Sequence, residues 1–294
     1  MPTRVECAIC GAPSRALGIR NGHPIYKCGA CGTYFVWPMP ASGDNLKIYS
    51  EDYFSGAAGG FGYADYDRDK QVMVPTFEKY LDIIERFLPS KGTLVDIGAA
   101  TGFFLKLAVN RGWTGVGIEP SAHASVLARA KNLDVRTGVF DGDSLDAGSV
   151  DAVTLWDVIE HVPDPLSLLN AVHSALRTGG VVAINTPDSG SLLARALGSK
   201  WHLVVPPEHL ILFNKTSLRH ALGEDRFEIL VQSKIGKRFT VQYVLETLYR
   251  WHNLGVWRKG YELVRDKAAG RAGVAINLRD NMFVLARKRS ENDG

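Results

Sequence analysis

The chain has 294 residues, 46% of them hydrophobic, and 34 basic against 31 acidic side chains give a formal charge of +3. That length and composition suit one large core plus a small appended module, and the charge imbalance is too small to demand a polyanionic partner. No apolar run approaches the roughly 20 residues that cross a bilayer, and Met1 to Cys10 holds neither a basic region followed by an apolar segment nor a cleavage site, so export is not expected.

All four cysteines lie in the first 31 residues, leaving none elsewhere to form disulfides, and a reducing compartment, the cytoplasm, is expected. Cys7, Cys10, Cys28 and Cys31 form two Cys-x-x-Cys knuckles separated by 17 residues, the spacing of a tetrahedral four-thiolate zinc site. Gly11 and Gly32 follow the second cysteine of each knuckle, where glycine relieves the tight turn that points backbone N–H groups at sulfur. Four thiolates leave no open coordination position, so the zinc is expected to be structural. Asn21-Gly22 signals a hairpin between Arg15 and Lys27, and Tyr34 to Val36 supplies another strand. Few lysines and arginines cluster on this module, so nucleic acid is not the expected partner. Trp37 to Gly43 punctuates the chain, placing a zinc ribbon at residues 1–40 and a connector at 41–71. In the connector, Tyr49, Tyr53, Phe54, Phe61, Tyr63 and Tyr66 surround Gly56 to Gly60, a combination suited either to a lid or to packing between modules.

The third region spans 72–290. Apolar positions at helical spacing predict a helix over Val72 to Leu88, ended by Pro89 to Gly92. Thr93 to Gly98 is a short apolar strand, followed by a bend at Gly98 to Gly102 and a helix from Phe103 to Asn110. Strand, glycine bend and helix in that order make a nucleotide-type corner, because glycines admit a ligand to the backbone and the helix start offers unpaired N–H groups. A strand at Thr114 to Ile118 ends at Glu119, a helix covers Ser121 to Lys131, and strands follow at Asp134 to Val139 and Val150 to Leu155. Pro165 to Leu176 is a helix closed by Gly179-Gly180, and Val181 to Thr186 is an apolar strand. Helices near Ser189 to Leu197 and Thr216 to Leu222 precede strands at Phe227 to Ser233 and Met282 to Ala286. The alternation predicts an α/β, doubly wound, mostly parallel sheet with helices on both faces and ligands beyond the strand C-termini. An aromatic-rich helical insertion at 239–270, with Tyr243, Leu248, Trp257 and Tyr261 among its residues, either packs as an ordinary helix pair or faces a greasy acceptor or a membrane surface in peripheral contact.

Asp96-x-Gly98-x-x-x-Gly102 after a strand, with Glu119 ending the next strand 17 residues beyond Gly102, resembles the cofactor site of class I S-adenosylmethionine methyltransferases. A dinucleotide fold is the rival, but the chain has no Gly-x-Gly-x-x-Gly there. The resemblance implies a Rossmann-like, seven-stranded sheet with the cofactor's amino acid part cradled at Gly98, Ala100 and Gly102 near Asp96, and its ribose hydroxyls on Glu119. The family often has a third glycine where this chain has Ala100, and Asp141 falls where an adenine contact is common. The run Trp156-Asp157-Val158-Ile159-Glu160-His161-Val162-Pro163-Asp164-Pro165, together with Pro207 to Phe213, is similar to segments of the ubiquinone-biosynthesis O-methyltransferase group. By that resemblance Trp156 joins the cofactor-binding set, and His161, His209 and Glu160 are the catalytic candidates, a histidine being able to accept the acceptor's proton near neutral pH. Asp157, Glu160, His161 and His209 also resemble the set by which small-RNA 2′-O-methyltransferases hold magnesium beside a hydroxyl. Lys200, Trp201 and His202 are candidates to line the acceptor pocket, Trp201 equally a core residue.

The function so implied is methylation, preferably O-methylation, of a small molecule or a glycan or nucleotide-sugar precursor. Two alternatives remain: a nucleic-acid methyltransferase docking through Arg15, Arg20 and Lys27 of the ribbon, and a cofactor-binding scaffold without catalysis.

Overall fold

The computed structural model describes residues 5–40, 66–252, 254–265 and 267–290. The expected lid aromatics Tyr49, Tyr53, Phe54, Phe61 and Tyr63 and the stretch Gly56 to Gly60 lie outside the described residues. The N-terminal module is a small antiparallel sheet of β1 (Ser14–Arg20), β2 (His23–Cys28) and β3 (Tyr34–Val36). Asn21 and Gly22 turn β1 into β2 with φ of 48° and 79°, both left-handed as the tightest hairpin turn requires.

The chain re-enters through α1 (Tyr66–Lys70) and α2 (Val74–Arg86). Strand and helix then alternate: β4 (Thr93–Ile97), α3 (Phe103–Asn110), β5 (Thr114–Glu119), α4 (Ala122–Arg129), β6 (Asp134–Thr137), β7 (Val150–Trp156), α5 (Pro165–Ala175) and β8 (Leu176–Pro187). After them come α6 (Leu192–Leu197), β9 (Ile211–Leu212), α7 (Lys215–Leu222) and β10 (Phe227–Ser233). The insertion is β11 (Lys237–Thr240), α8 (Val241–His252), α9 (Gly255–Val264), α10 (Ala268–Arg271) and β12 (Gly273–Ile276), and β13 (Asn281–Lys288) closes the fold. No helix among the described residues is long and apolar enough to cross a membrane.

The main sheet has seven strands in the order β10-β13-β8-β7-β4-β5-β6. Only β13 runs antiparallel to its neighbours β8 and β10, the others pairing in parallel. From β4 the chain winds outward to β5 and β6, then returns to β7 and β8 on the other side. The order therefore reverses between β4 and β7, and the crevice beyond their C-terminal ends is where such sheets take a ligand. Central strands are buried on both faces, with Leu94, Val95, Val153, Leu155, Val182 and Ile184 all fully enclosed. That double burial is why they read as apolar runs rather than alternating ones.

Three local features differ from the sequence expectation. Gly179-Gly180 does not stop a helix: α5 ends at Ala175, and the pair lies inside β8, where the register against β7 shifts and Gly179 takes a φ of 79°. Glycine in a strand serves here as a bulge. The insertion is not purely helical, because β11 and β12 pair antiparallel and clamp its ends together. Finally, the ribbon does not stand apart. β3 pairs with β9, Asn214 Nδ2 donates to the Cys31 carbonyl at 2.8 Å, and Tyr34 and Phe35 share one continuous core with Trp201, Ile211 and Phe213.

Candidate active site

A cavity of about 1450 Å³ opens at the C-terminal ends of β4, β5 and β7, and its lining includes Asp96, Gly98, Ala100, Glu119, Trp156, Glu160, His161 and His209. Nearly all the predicted site residues of the main domain thus meet around one space. Gly102 lies behind it, starting α3 with φ of 77°, and a Cβ there would come within 2.5 Å of Leu133. Gly98 has a φ of 73°, and a Cβ would come within 2.6 Å of Val158. Ala100 takes a φ of 49°, a left-handed conformation that costs a side-chain-bearing residue roughly 1–2 kcal/mol.

Glu119 holds the bend in place. Its carboxylate accepts N–H bonds from Ala100 and Ser121, each at 2.8 Å, and is almost wholly buried. Burial pushes its pKa up against the lowering effect of those two N–H groups. A carboxylate has about four acceptor sites, so two remain for a ligand's hydroxyls. Asp96 is 2% exposed and accepts a bond from Thr154 Oγ1 at 2.6 Å. Burial, aided by the nearby Glu119 charge, raises its pKa to about 7 despite the Thr154 bond. From the connector's end, Asp67 on α1 accepts a bond from Thr101 Oγ1 and pairs with Lys131, while Tyr66 packs on Ala100 and Ala124.

Trp156 forms a wall of the cavity, stacked on Tyr80 with centroids 4.6 Å apart and met edge-on by Phe104 at 5.0 Å. Its indole Nε1 is buried with no hydrogen-bond partner among the described residues. Tyr80 donates to Asn185 Oδ1 at 3.1 Å, and Asn185 Nδ2 donates in turn to Asp157 Oδ1 at 2.8 Å. Sequence reasoning placed Tyr80 only as an apolar helix position. Its polar tip becomes informative once α2 is docked on β8.

Glu160 is fully buried on the turn after β7; its Oε2 accepts from Thr186 Oγ1 at 2.9 Å, while Oε1 has no hydrogen-bond partner among the described residues and lies 4.0 Å from His161 Nε2. Burial raises its pKa to about 7, with Asp157 adding to the rise and His161 opposing it. His161 and His209 meet edge to face, centroids 4.8 Å apart. His161 Nδ1 lies 2.8 Å from the Glu208 carbonyl and His209 Nδ1 lies 2.7 Å from the Leu203 carbonyl. A carbonyl only accepts, so each ring donates to it through Nδ1–H. Ligand atoms of Glu160, His161 and His209 all lie within 4.8 Å of one another. Asp157, expected as a fourth member, does not join this cluster; it takes a left-handed φ of 56° and its carboxylate turns to Asn185.

The remaining predicted residues divide. Asp141 is exposed at the cavity rim, with Oδ1 engaged by Asp143 N–H and Ser144 Oγ in its own turn. Trp201 is a core residue, fully buried and donating to Asp280 at 3.3 Å, whereas His202 lines the cavity and Lys200 is exposed away from it. From the insertion, Tyr243, Val244, Thr247 and Leu248 turn one face of α8 to the cavity. Arg20 and Asn21 at the ribbon's hairpin tip also line it, which nothing in the local sequence signals.

In the ribbon, the four cysteine sulfurs cluster within 4.8 Å of one another, with Cys7–Cys31 at 3.6 Å and Cys10–Cys28 at 3.4 Å. Tetrahedral zinc with bonds of about 2.3 Å sets sulfurs near 3.8 Å apart, so little movement is needed. Ile9 and Cys31 N–H groups point at Cys7 and Cys28 sulfur, and Gly11 and Gly32 are left-handed as the knuckle turns require. The contact between Cys7 and Cys31 pulls the Cys31 thiol below its ordinary value and pushes the Cys7 thiol above it.

A family model described as a methyltransferase domain matches residues 72–232, more than half of the chain. An uncharacterized methyltransferase from Mycobacterium sp. strain JLS is 37% identical over 102 residues, which cover 33% of this chain and 39% of that protein. The chain therefore spans well under half the length of that curated relative. A ubiquinone biosynthesis O-methyltransferase from Escherichia coli strain SMS-3-5 is 26% identical over 178 residues, covering 52% of this chain and 74% of that one. Among solved structures, a SAM-dependent methyltransferase from Thermotoga maritima superposes with a TM-score of 0.51 at 20% identity, covering 76% of this chain and 94% of its own. At that identity the likeness establishes a shared fold.

Proposed function

Because the chain belongs to the methyltransferase-domain family, we propose that it moves the methyl group of S-adenosylmethionine onto an oxygen of a small molecule or a glycan or nucleotide-sugar precursor. The observation that carries this reading is the cavity that joins the glycine bend and Glu119 to the Glu160, His161 and His209 cluster. Bound at the bend, S-adenosylmethionine supplies a methyl carbon on a sulfonium, and the acceptor oxygen forms its C–O bond as the C–S bond breaks. The two remaining acceptor sites of Glu119 would receive the ribose hydroxyls, and Asp96 would face the amino acid part. Trp156 and its aromatic neighbours exclude water from the transfer path. The acceptor's hydroxyl proton passes to Nε2 of His161 or His209, each ring held in the receiving tautomer by its backbone carbonyl.

The same cluster fits a divalent cation, since the buried Glu160 Oε1 accepts no hydrogen bond among the described residues and lies beside two oriented imidazoles. Two nitrogens and one carboxylate favour a borderline transition metal over magnesium, which prefers oxygen ligands. Such an ion would occupy the imidazole nitrogens in place of a proton and supply Lewis acidity at the acceptor oxygen instead. In the ribbon, Cys7, Cys10, Cys28 and Cys31 would hold a structural zinc.

Methyl transfer from labelled S-adenosylmethionine across a panel of hydroxylated acceptors tests the proposal. His161→Ala is expected to slow turnover at least about 100-fold while leaving affinity for S-adenosylmethionine within about twofold. Unchanged turnover in both His161→Ala and His209→Ala would reject the histidines as proton acceptors.

A further inference from the structure

Among the described residues, three buried side-chain polar atoms that lack hydrogen-bond partners belong to residues lining the active-site cavity: Glu160 Oε1, Trp156 Nε1 and Arg20 Nε. The first two are on the main domain's own strand end and turn. The third comes from the ribbon, whose hairpin tip is pinned to the loop that carries His209. Asn21 Nδ2 donates to the Pro206 carbonyl at 3.0 Å, and β3 is hydrogen-bonded to β9 just beyond that loop. The Arg20 side chain is half-buried, and among the described residues no hydrogen bond or ion pair engages its guanidinium. Burying a donor of a cationic group without a counter-anion is unfavourable. Arginine is always charged, and its planar fork matches the two oxygens of a carboxylate or a phosphate.

We propose that Arg20 is a specificity-determining residue: the ribbon's hairpin tip completes the acceptor site and binds an anionic group, carboxylate or phosphate, carried by the methyl acceptor. The inference rests on the reading of this cavity as a methyltransferase site. The anion held by Arg20 fixes the acceptor's register, and the hydroxyl to be methylated is then presented at His161 and His209. The ribbon thereby gains a task beyond holding metal, since the module that folds on zinc delivers the cation that chooses the acceptor.

Calorimetric titration of the full zinc-loaded chain, saturated with S-adenosylhomocysteine, tests this with phenol, benzoate and phenyl phosphate, which differ only in the group on the ring. One of the two anions is expected to bind at least about tenfold tighter than phenol, and which one does so separates carboxylate from phosphate. Arg20→Gln should erase the preference and Arg20→Lys should keep part of it, with zinc content and S-adenosylmethionine affinity unchanged in both. If Arg20→Gln disturbs zinc content, the comparison rests on Arg20→Lys, in which a preference as large as wild type's overturns the proposal. It is overturned equally if the preference survives intact in a folded Arg20→Gln, or if neither anion outbinds phenol in the wild type. Failure of the wild type to bind S-adenosylmethionine at all is a separate result, which removes the methyltransferase reading and the inference with it.

Discussion

Asp96→Asn should make the unliganded protein more stable, and by an amount that grows with pH. Asp96 is 2% exposed and its pKa is raised to about 7 from an ordinary 3.8, chiefly by burial. A group with a folded pKa above its unfolded one favours folding below the unfolded value, and that contribution is lost as pH rises through the folded value. At about 1.4 kcal/mol per pH unit, an ionised Asp96 costs roughly 4 kcal/mol at pH 8 and under about 1 kcal/mol at pH 4. Asparagine keeps an oxygen for Thr154 Oγ1, and any cost of placing its amide donors is the same at every pH, so it shifts the difference without changing its slope. Urea denaturation of both proteins between pH 4 and 8 should therefore show a stability difference that is small at the acid end, climbs toward pH 7 and flattens above it. Glu160 is common to both proteins and cancels, whereas the repulsion between Glu119 and an ionised Asp96 exists in the wild type alone and is part of the difference. A difference independent of pH, or one that grows toward acid, would refute the assignment of a destabilising buried charge at this position.

Ala100→Gly relieves the left-handed backbone at φ 49° and should stabilise the fold by roughly 0.5–1 kcal/mol after the entropic cost of glycine; the same denaturation assay reads it, and a loss of stability would contradict the strain. Atomic absorption should find one zinc per chain, and its chelation should lower the melting temperature of the whole protein rather than of a detached module, because Tyr34 and Phe35 share a core with Ile211 and Phe213. A chelated protein that melts unchanged would deny the ribbon its metal-dependent contact with the main domain. Thr186→Val removes the donor to Glu160 Oε2 and should raise the pH at which activity appears if the Glu160 carboxylate acts ionised. An unshifted profile would place Glu160 outside the titrating set.

The main sheet was legible because parallel strands buried on both faces read as unbroken apolar runs, and because Gly98 and Gly102 sit at positions only glycine fills comfortably. The ribbon was legible because thiolate spacing is a covalent constraint written in the chain. β9 escaped notice because two residues carry no pattern, and β12 because three of its four residues face solvent and its partner lies across the whole insertion. For the site, the identities of Glu160, His161 and His209 could be read, but their orientation could not. It depends on the carbonyls of Glu208 and Leu203, groups every residue possesses. Arg20 reaches the cavity through tertiary docking alone, so its local sequence gives a surface hairpin and nothing more.

Calorimetric titration of S-adenosylmethionine and of NAD into the wild type and Glu119→Gln tests the central claim most directly. The amide introduced by that substitution can accept one of the two N–H bonds that Glu119 takes from Ala100 and Ser121, but its NH₂ opposes the other. One equivalent of S-adenosylmethionine should bind the wild type, at least about tenfold more weakly to the variant, and NAD should bind neither. Binding of NAD in place of S-adenosylmethionine, or equal affinity of both proteins for the methyl donor, would contradict the account.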